Sequence, residues 1–379
     1  MTISPTIAGQ LANGVYGVLG NDNVLDGFRE RNATGSGLTD LFDLGGEAQR
    51  FHGVSGGRLV HSQTGFGTLL KGKGSLQGDV AIVCRGTKIG VDWLTNFTVS
   101  LAPGPANTTV HAGFDRVFRS FKSQIDIGMK GLNPGTIHIV GHSLGGALAN
   151  LLALQYAGRA SIKLYTFGAP RPGLGNFAQA IKQRVGPENV KRVYALADPV
   201  PLVPLFPFCH APYANGRSVT AGGQNFNLYA HGMENYLAAV AGKSWEDLPV
   251  DRVPFRRSVD DWLKIAKLSN ASPMNAVALL ALNEALRGIL RQVAGTAFGF
   301  GLIGAVTVLD TLAFALQQAI SISRALGRMV RRFVTEVMRF LGRAVKDVTA
   351  LTGAFIRYVL QLLYQALASS SRAALARFA

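Results

Sequence analysis

Ser143 lies between two glycines in the segment Gly141-His142-Ser143-Leu144-Gly145, which follows a β-branched run and precedes an Ala- and Leu-rich stretch. A G-x-S-x-G motif between a strand and a helix is typical of a nucleophilic serine on a sharp turn. The flanking glycines allow the turn because they carry no Cβ atom. The backbone N–H of Leu144, at the start of the helix, would point toward a developing oxyanion. The motif therefore predicts a serine hydrolase with Ser143 as nucleophile.

A nucleophilic serine needs a base that takes its proton and an acid that orients the base. In a strand–turn–helix setting both partners follow the serine along the chain, at or after the ends of strands. Asp198 directly follows a strand predicted at 190–196 and is the predicted acid; the alternative is a turn aspartate that caps local backbone. His231 begins a loop-to-helix transition and is the predicted base, whereas His210, in an apolar loop rich in proline, is the alternative.

A second oxyanion donor is predicted in the turn Arg85-Gly86-Thr87, which ends the apolar strand at 79–84. Gly86 lets the backbone approach closely, and Thr87 offers both its N–H and its hydroxyl. The alternative is a plain strand-ending turn. The predicted reaction needs neither a metal ion nor a cofactor.

The segment 88–107 follows this turn and contains a small apolar face at helical spacing. The face consists of Trp93, Leu94 and Phe97. These residues predict a lid that covers the site or inserts at an interface, and ordinary core packing is the alternative.

Strands alternate with helices through the middle of the chain. Strands are predicted at 79–84, 136–140, 162–167 and 190–196, and helices at 110–129, 144–157 and 176–185. This alternation predicts the α/β class with a mostly parallel sheet and crossover helices. Prolines and charges at 249–257 indicate a boundary, beyond which the pattern is helical. We therefore expect a catalytic domain over 1–255 and an all-helical extension over 260–379.

The helical extension is basic. Residues 271–379 contain 12 Lys and Arg but 4 Asp and Glu, so they hold half of the chain's net charge of +16. The apolar run 293–309 has 17 residues, which is the short limit for a membrane span. Asp310, which follows the run, favours burial among helices instead.

Beyond Asp310, basic and apolar side chains lie on opposite faces of a predicted helix. The basic face comprises Arg324, Arg328, Arg331, Arg332, Arg339, Arg343 and Lys346. Such a face predicts binding to anionic phospholipid at a membrane surface. A solvated basic face over a helical-bundle core, or a docking surface for a protein such as a chaperone or an immunity protein, are the alternatives.

Composition excludes several other functions. No stretch interleaves aromatic and basic residues as nucleic-acid-binding motifs do, so the charge does not predict a nucleic-acid partner. Two cysteines provide neither a disulfide framework nor a metal cluster. The first residues lack the charged and apolar regions of a Sec signal. We therefore expect synthesis in the cytoplasm, followed by membrane association or export without a cleaved signal.

Several segments, in this order, resemble the class 3, or fungal-type, lipase family. They are 79–87, 92–96, 110–114, 141–149, 165–173, 193–200 and 231–236. The resemblance covers roughly residues 50–240 and implies an α/β-hydrolase fold, a Ser143–Asp198–His231 triad, an oxyanion hole at Thr87 and Leu144, and a lid in 88–107. By analogy it implies a member similar to bacterial phospholipase effectors.

Together these features predict a serine esterase that hydrolyses long-chain acyl esters of lipids, as a phospholipase A or a triacylglycerol lipase. Its basic helical tail would direct it to membranes. The alternative is a membrane-disrupting protein whose tail permeabilises the bilayer and whose hydrolysis is secondary.

Overall fold

The structure is a computed structural model, which describes residues 1–18, 21, 23–34, 37–46, 48–55, 62–86, 100–213, 215–219, 223–251, 257–270, 272–294, 308–343 and 351–377. Its strands are β1 (Gln49–Ser55), β2 (Ser62–Lys71), β3 (Val80–Cys84), β4 (Leu101–Gly104), β5 (Thr108–His111), β6 (Thr136–His142), β7 (Ser161–Phe167), β8 (Val190–Ala195) and β9 (Gly216–Val219).

The helices fall into an earlier and a later group along the chain. The earlier helices are α1 (Pro5–Gly14), α2 (Val24–Glu30), α3 (Leu38–Leu41), α4 (Ala112–Gly128), α5 (Leu144–Tyr156), α6 (Gly175–Arg184) and α7 (Met233–Val240). The later helices are α8 (Val259–Ser269), α9 (Ala276–Ala294), α10 (Val308–Ile322), α11 (Arg324–Phe340) and α12 (Gly353–Arg377).

Within the described residues the central sheet has the strand order β1-β2-β3-β6-β7-β8-β9. The strands β3, β6, β7, β8 and β9 are parallel, and β1 and β2 extend the sheet as an antiparallel edge. Cys84 at the end of β3 lies opposite Gly141 near the end of β6. The turns that follow both strands therefore meet at the carboxyl edge of the sheet, where ligands bind in open α/β sheets. The predicted α/β class is confirmed.

Each face of the sheet is covered by its own apolar core, because successive side chains of a strand point to opposite faces. On β6, Ile139 belongs to one core and Val140 to the other. The core around Val140 is completed by the early helices α1, α2 and α7. The core around Ile139 includes helices α4, α5 and α6 and continues into the later helices.

The predicted helical extension is present and packs against the catalytic sheet. Leu205 and Phe208, from the loop after β8, share one apolar core with Leu282 and Leu286 of α9. On α11 the apolar side is buried in this core and the arginines are exposed, which confirms the amphipathic pattern. Asp310, expected to be buried among helices, is one third exposed and pairs with Arg357 of α12.

Most of the apolar run 293–309 lies outside the described residues. Its first residue, Val293, is buried at the end of α9, and its last two, Val308 and Leu309, begin α10. No helix in the described part of the chain combines the length and the apolarity that a membrane crossing needs.

The structure also differs from the predicted elements in detail. The helix expected at 110–129 begins only at Ala112, because 108–111 pairs with β4 as an antiparallel hairpin. Strand β9, four residues long and half-buried, had no clear sequence pattern.

Candidate active site

Ser143 occupies the turn between β6 and α5 in a strained conformation, with φ 58° and ψ −132°. A non-glycine residue in such a conformation is a mark of a functional site. Glycines make the turn feasible: a Cβ atom on Gly145 would lie 2.3 Å from the carbonyl oxygen of Cys84, and one on Gly141 would lie 2.2 Å from that of Gly145. The strand, turn and helix of the motif thus pack too tightly for any larger residue at either position.

Ser143, His231 and Asp198 form one chain of hydrogen bonds. The Oγ of Ser143 lies 2.9 Å from Nε2 of His231, and Nδ1 of His231 lies 2.8 Å from Oδ2 of Asp198. Since an ionised carboxylate only accepts, Nδ1–H donates to Asp198, and Nε2 is left to accept from the serine hydroxyl. The three residues are almost fully buried, at 0–1% exposure. The arrangement has the donor order that a triad requires.

The carboxylate of Asp198 accepts further hydrogen bonds besides the one from His231. Its Oδ1 accepts from the backbone N–H of Val200 at 2.9 Å, and its Oδ2 also accepts from the hydroxyl of Tyr236 at 2.7 Å. Burial and the neighbouring carboxylate raise the pKa of Tyr236 well above its usual value, so the hydroxyl stays protonated and donates. These bonds fix the carboxylate that orients His231.

A second network links His142 to both sides of the serine. Its Nε2–H donates to the carbonyl oxygen of His231 at 2.9 Å, so Nδ1 must accept, and it does so from the hydroxyl of Tyr16 at 2.7 Å. The same hydroxyl accepts from the backbone N–H of Gly86 at 3.2 Å. Burial and nearby His231 lower the pKa of His142 well below its usual value, which keeps the ring neutral.

His142 and Tyr16 therefore join the backbone of His231 to the turn after β3. That turn lies against the nucleophile, because a Cβ atom on Gly86 would be 3.0 Å from the Cβ of Ser143.

The structure places the remaining predicted site residues as follows. The backbone of Leu144 begins α5 directly after Ser143, where its N–H has no partner within the helix. His210 lies elsewhere: its Nε2–H donates to the carbonyl oxygen of Pro201 at 2.9 Å. Thr87 and the whole predicted lid face, Trp93, Leu94 and Phe97, lie outside the described residues.

Two residues of the site were not predicted from the sequence. Tyr236 lies at the start of α7, within the segment 231–236 that resembles the lipase family. A tyrosine so close to the predicted base could have been identified from the sequence as a hydrogen-bond donor to the site. Tyr16 had no such signal, since it reaches His142 across 126 residues of chain.

The geometry supports nucleophilic acyl transfer. His231 lies within reach of the serine proton, Asp198 fixes its tautomer, and the helix start at Leu144 presents an N–H beside Ser143. Such an arrangement splits an ester in two steps through an acyl-enzyme.

Comparison with known proteins agrees with this geometry. Residues 81–208 match the family model described as lipase (class 3). The secreted mono- and diacylglycerol lipase 1 of Fusarium solani is 33% identical over 159 residues, which are 39% of this chain and 46% of that protein. The phospholipase A1-Ialpha2, chloroplastic, of Arabidopsis thaliana is 28% identical over 160 residues, or 33% of each chain.

The chain thus spans less than half the length of these curated relatives. Among solved structures, the native lipase propeptide complex of Rhizomucor miehei is 22% identical with a TM-score of 0.40, covering 57% of this chain and 68% of that one. Residues 81–208 are thus similar in sequence to class 3 lipases, and they include most of the parallel part of the central sheet.

Proposed function

We propose that the protein is a serine esterase that hydrolyses acyl esters of lipids. The observation that carries this proposal is the hydrogen-bonded chain from Ser143 Oγ through His231 to Asp198, at a strained turn between a strand and a helix. The similarity of residues 81–208 to class 3 lipases supports a lipid as the substrate.

The reaction follows from this geometry. Nε2 of His231 takes the proton of Ser143 while Oγ attacks the acyl carbonyl carbon. The N–H of Leu144, together with Thr87 as the predicted second donor, stabilises the oxyanion. His231 then returns its proton to the leaving alcohol. Water, deprotonated by the same imidazole, attacks the acyl-enzyme and releases the fatty acid and Ser143.

We propose anionic phospholipid as the preferred substrate and a membrane surface as the place of action. Support comes from α11, whose arginines are exposed on one side. The apolar side of the same helix is buried against the other helices, which favours docking on the surface over insertion into the bilayer. Export without a signal, and a role as a bacterial effector, stay hypotheses from the sequence.

Fatty-acid release from phosphatidylglycerol liposomes and from triacylglycerol emulsions tests the proposal. Ser143→Ala should lower release by roughly 10⁴-fold or more, because the nucleophile is lost. Unchanged release would contradict the enzyme assignment. Release chiefly from the emulsion would contradict the choice of phospholipid. Dye leakage from liposomes caused by Ser143→Ala would favour the membrane-disrupting alternative.

The histidine assignment has a matched control within the chain. His231→Ala should abolish turnover to a similar extent, whereas His210→Ala should leave the rate constant for turnover nearly unchanged, because His210 contacts Pro201 and not Ser143. Equal losses from both variants would contradict the assignment of His231 as the base.

A further inference from the structure

A cavity of about 340 Å³ lies between strand β8 and the helices α8 and α9. Its lining includes none of Ser143, His231 or Asp198, although Pro201 and Leu202, from the loop after Asp198, form part of its wall. The volume is at the lower end of the range of about 300–1,000 Å³ that is usual for small-molecule sites. The cavity is therefore a separate place in which a small ligand could bind.

A buried guanidinium without full hydrogen bonding lines this cavity. Arg192, in the middle of β8, is 7% exposed, and its Nε–H has no acceptor among the described residues. Its charged group lies 5.0 Å from the ring centroid of Tyr194, which lies on the same face of the strand. Because burial removes water, the pKa of Arg192 is lowered from its usual value. A buried cation in this state gains most from an anionic ligand.

The other groups of the lining leave the cavity positive. Three arginines and two carboxylates line it: Arg171, Arg192, Arg257, Asp251 and Glu284. Glu284 is already neutralised, since it pairs with Arg287. Arg171, 5% exposed, donates to the neutral carbonyl oxygen of Pro204 at 2.9 Å and to Asn283 at 3.3 Å. Asp251 already interacts electrostatically with Arg192 and accepts a hydrogen bond from Tyr194, so it is the carboxylate that an incoming anion must compete with.

Most of the remaining lining is apolar and comes largely from the loop after β8 and from the later helices, whereas Tyr194, His210, Tyr213 and Asn283 add polar groups. The apolar part includes Leu202, Phe206, Phe208, Trp262, Ile265 and Leu280. A wall of this kind suits a hydrocarbon chain, and the arginines suit the charged end of the same molecule.

We propose that this cavity is a second lipid site, distinct from the triad, that binds a medium-chain fatty acid with its carboxylate against Arg192 and Arg171. The choice of a fatty acid rests on the proposed function, since fatty acid is the product of that reaction. The inference that the ligand is an anion rests only on the arginines that line the cavity. The site would let released acid occupy the junction between the catalytic sheet and the helical extension.

Isothermal titration of the full chain with sodium decanoate tests the proposal. The Ser143→Ala background separates binding from turnover, so a negative result would leave the proposed esterase activity standing. Decanoate should bind saturably, and decanol, which lacks the charge, should bind at least about tenfold more weakly. Inorganic phosphate should not compete at equal concentration, since it has no acyl chain. Decanol or phosphate binding as tightly as decanoate would overturn the proposal.

Two variants that should change the affinity for decanoate in opposite directions locate the site. Arg192→Gln should weaken decanoate binding at least about tenfold, and Asp251→Asn should strengthen it about twofold or more, because a competing carboxylate is removed. If Arg192→Gln does not fold, Asp251→Asn decides alone. The control is Arg159→Gln, an exposed arginine 5.6 Å from the ring of Tyr156, which should change nothing. Decanoate binding that is insensitive to Asp251→Asn would overturn the assignment.

Discussion

At the scale of single residues, the candidate site consists of two hydrogen-bonded chains that meet at the turn of Ser143. One runs through His231 to Asp198, and the other runs from the backbone of His231 through His142 and Tyr16 to Gly86. The second chain contacts no reacting atom in the proposed mechanism. It ties together the segments that carry the base and the predicted oxyanion donor, and we infer that it positions them.

Tyr16→Phe tests this positioning role. The change leaves the ring in place but deprives Gly86 N–H of its acceptor and His142 Nδ1 of its donor. We expect kcat on a soluble short-chain ester to fall about tenfold while KM changes little, since small misplacements of catalytic groups act on the transition state. The free energy of unfolding should fall by about 1–3 kcal/mol.

Tyr156→Phe is the matched control. Tyr156 is buried, whereas Tyr16 is partly buried, and the hydroxyl of Tyr156 donates to Asp126 at 2.7 Å, away from the triad. It should lower stability by a similar amount without lowering kcat. Equal kcat values for the two variants would mean that Tyr16 only stabilises the fold.

At the scale of elements, the sequence predicted the strands and helices whose patterns are strong and local. The apolar strands at β3, β6, β7 and β8 and the helices between them were expected within a few residues of their observed ends. The amphipathic pattern of α11 was visible because its period matches a helix. The triad could be predicted from local features, because Ser143 and Asp198 follow strand ends and His231 lies where a loop leads into a helix.

What the sequence did not predict depends on contacts between distant segments. Strand β9 is short and only half-buried, and it forms because β8 offers an edge to pair with. The cavity beside Arg192 arises where α8 and α9 cover the sheet, and no local pattern encodes that docking. Tyr16 reaches the site for the same reason.

Helix α11 is the element that we expect to bind an anionic membrane surface. Arg324, Arg328 and Arg331 are exposed on one side of it. Changing all three to Gln should weaken binding to phosphatidylglycerol vesicles by roughly 3 kcal/mol, or about 100-fold, because each basic residue near an anionic surface contributes about 1 kcal/mol. Vesicle co-sedimentation measures this, and hydrolysis of a soluble short-chain ester should not change.

A control with the same loss of charge shows whether position matters. Arg29, Arg116 and Arg159 are exposed on α2, on α4 and after α5. Changing these three to Gln should leave most of the vesicle binding intact. If both triple variants bind equally, α11 is not the docking surface.

At the scale of the whole molecule, buried histidines make stability depend on pH. Burial lowers the pKa of His111 and of His138 to about 4. In the unfolded chain each would titrate near its ordinary value of about 6.5. Between these values the unfolded state binds more protons than the folded state. The free energy of unfolding is therefore highest above pH 6.5, where the histidines are neutral in both states, and it falls as the pH decreases toward 4.

Urea denaturation at pH 7.5 and at pH 5.5 should show this loss. Each of these two histidines lowers the free energy of unfolding by about 1.4 kcal/mol over that interval. Burial also lowers the pKa of His142 and of His210 well below the usual value, so these rings add to the loss and we expect a decrease of at least about 3 kcal/mol. In His111→Gln the difference between the two pH values should shrink by about 1.4 kcal/mol, because one titrating group is gone. In His52→Gln, which changes an exposed histidine, it should not shrink. Equal stability at both pH values would mean that the folded chain accommodates the protonated rings, contrary to their burial beside apolar side chains such as Phe114 and Phe42.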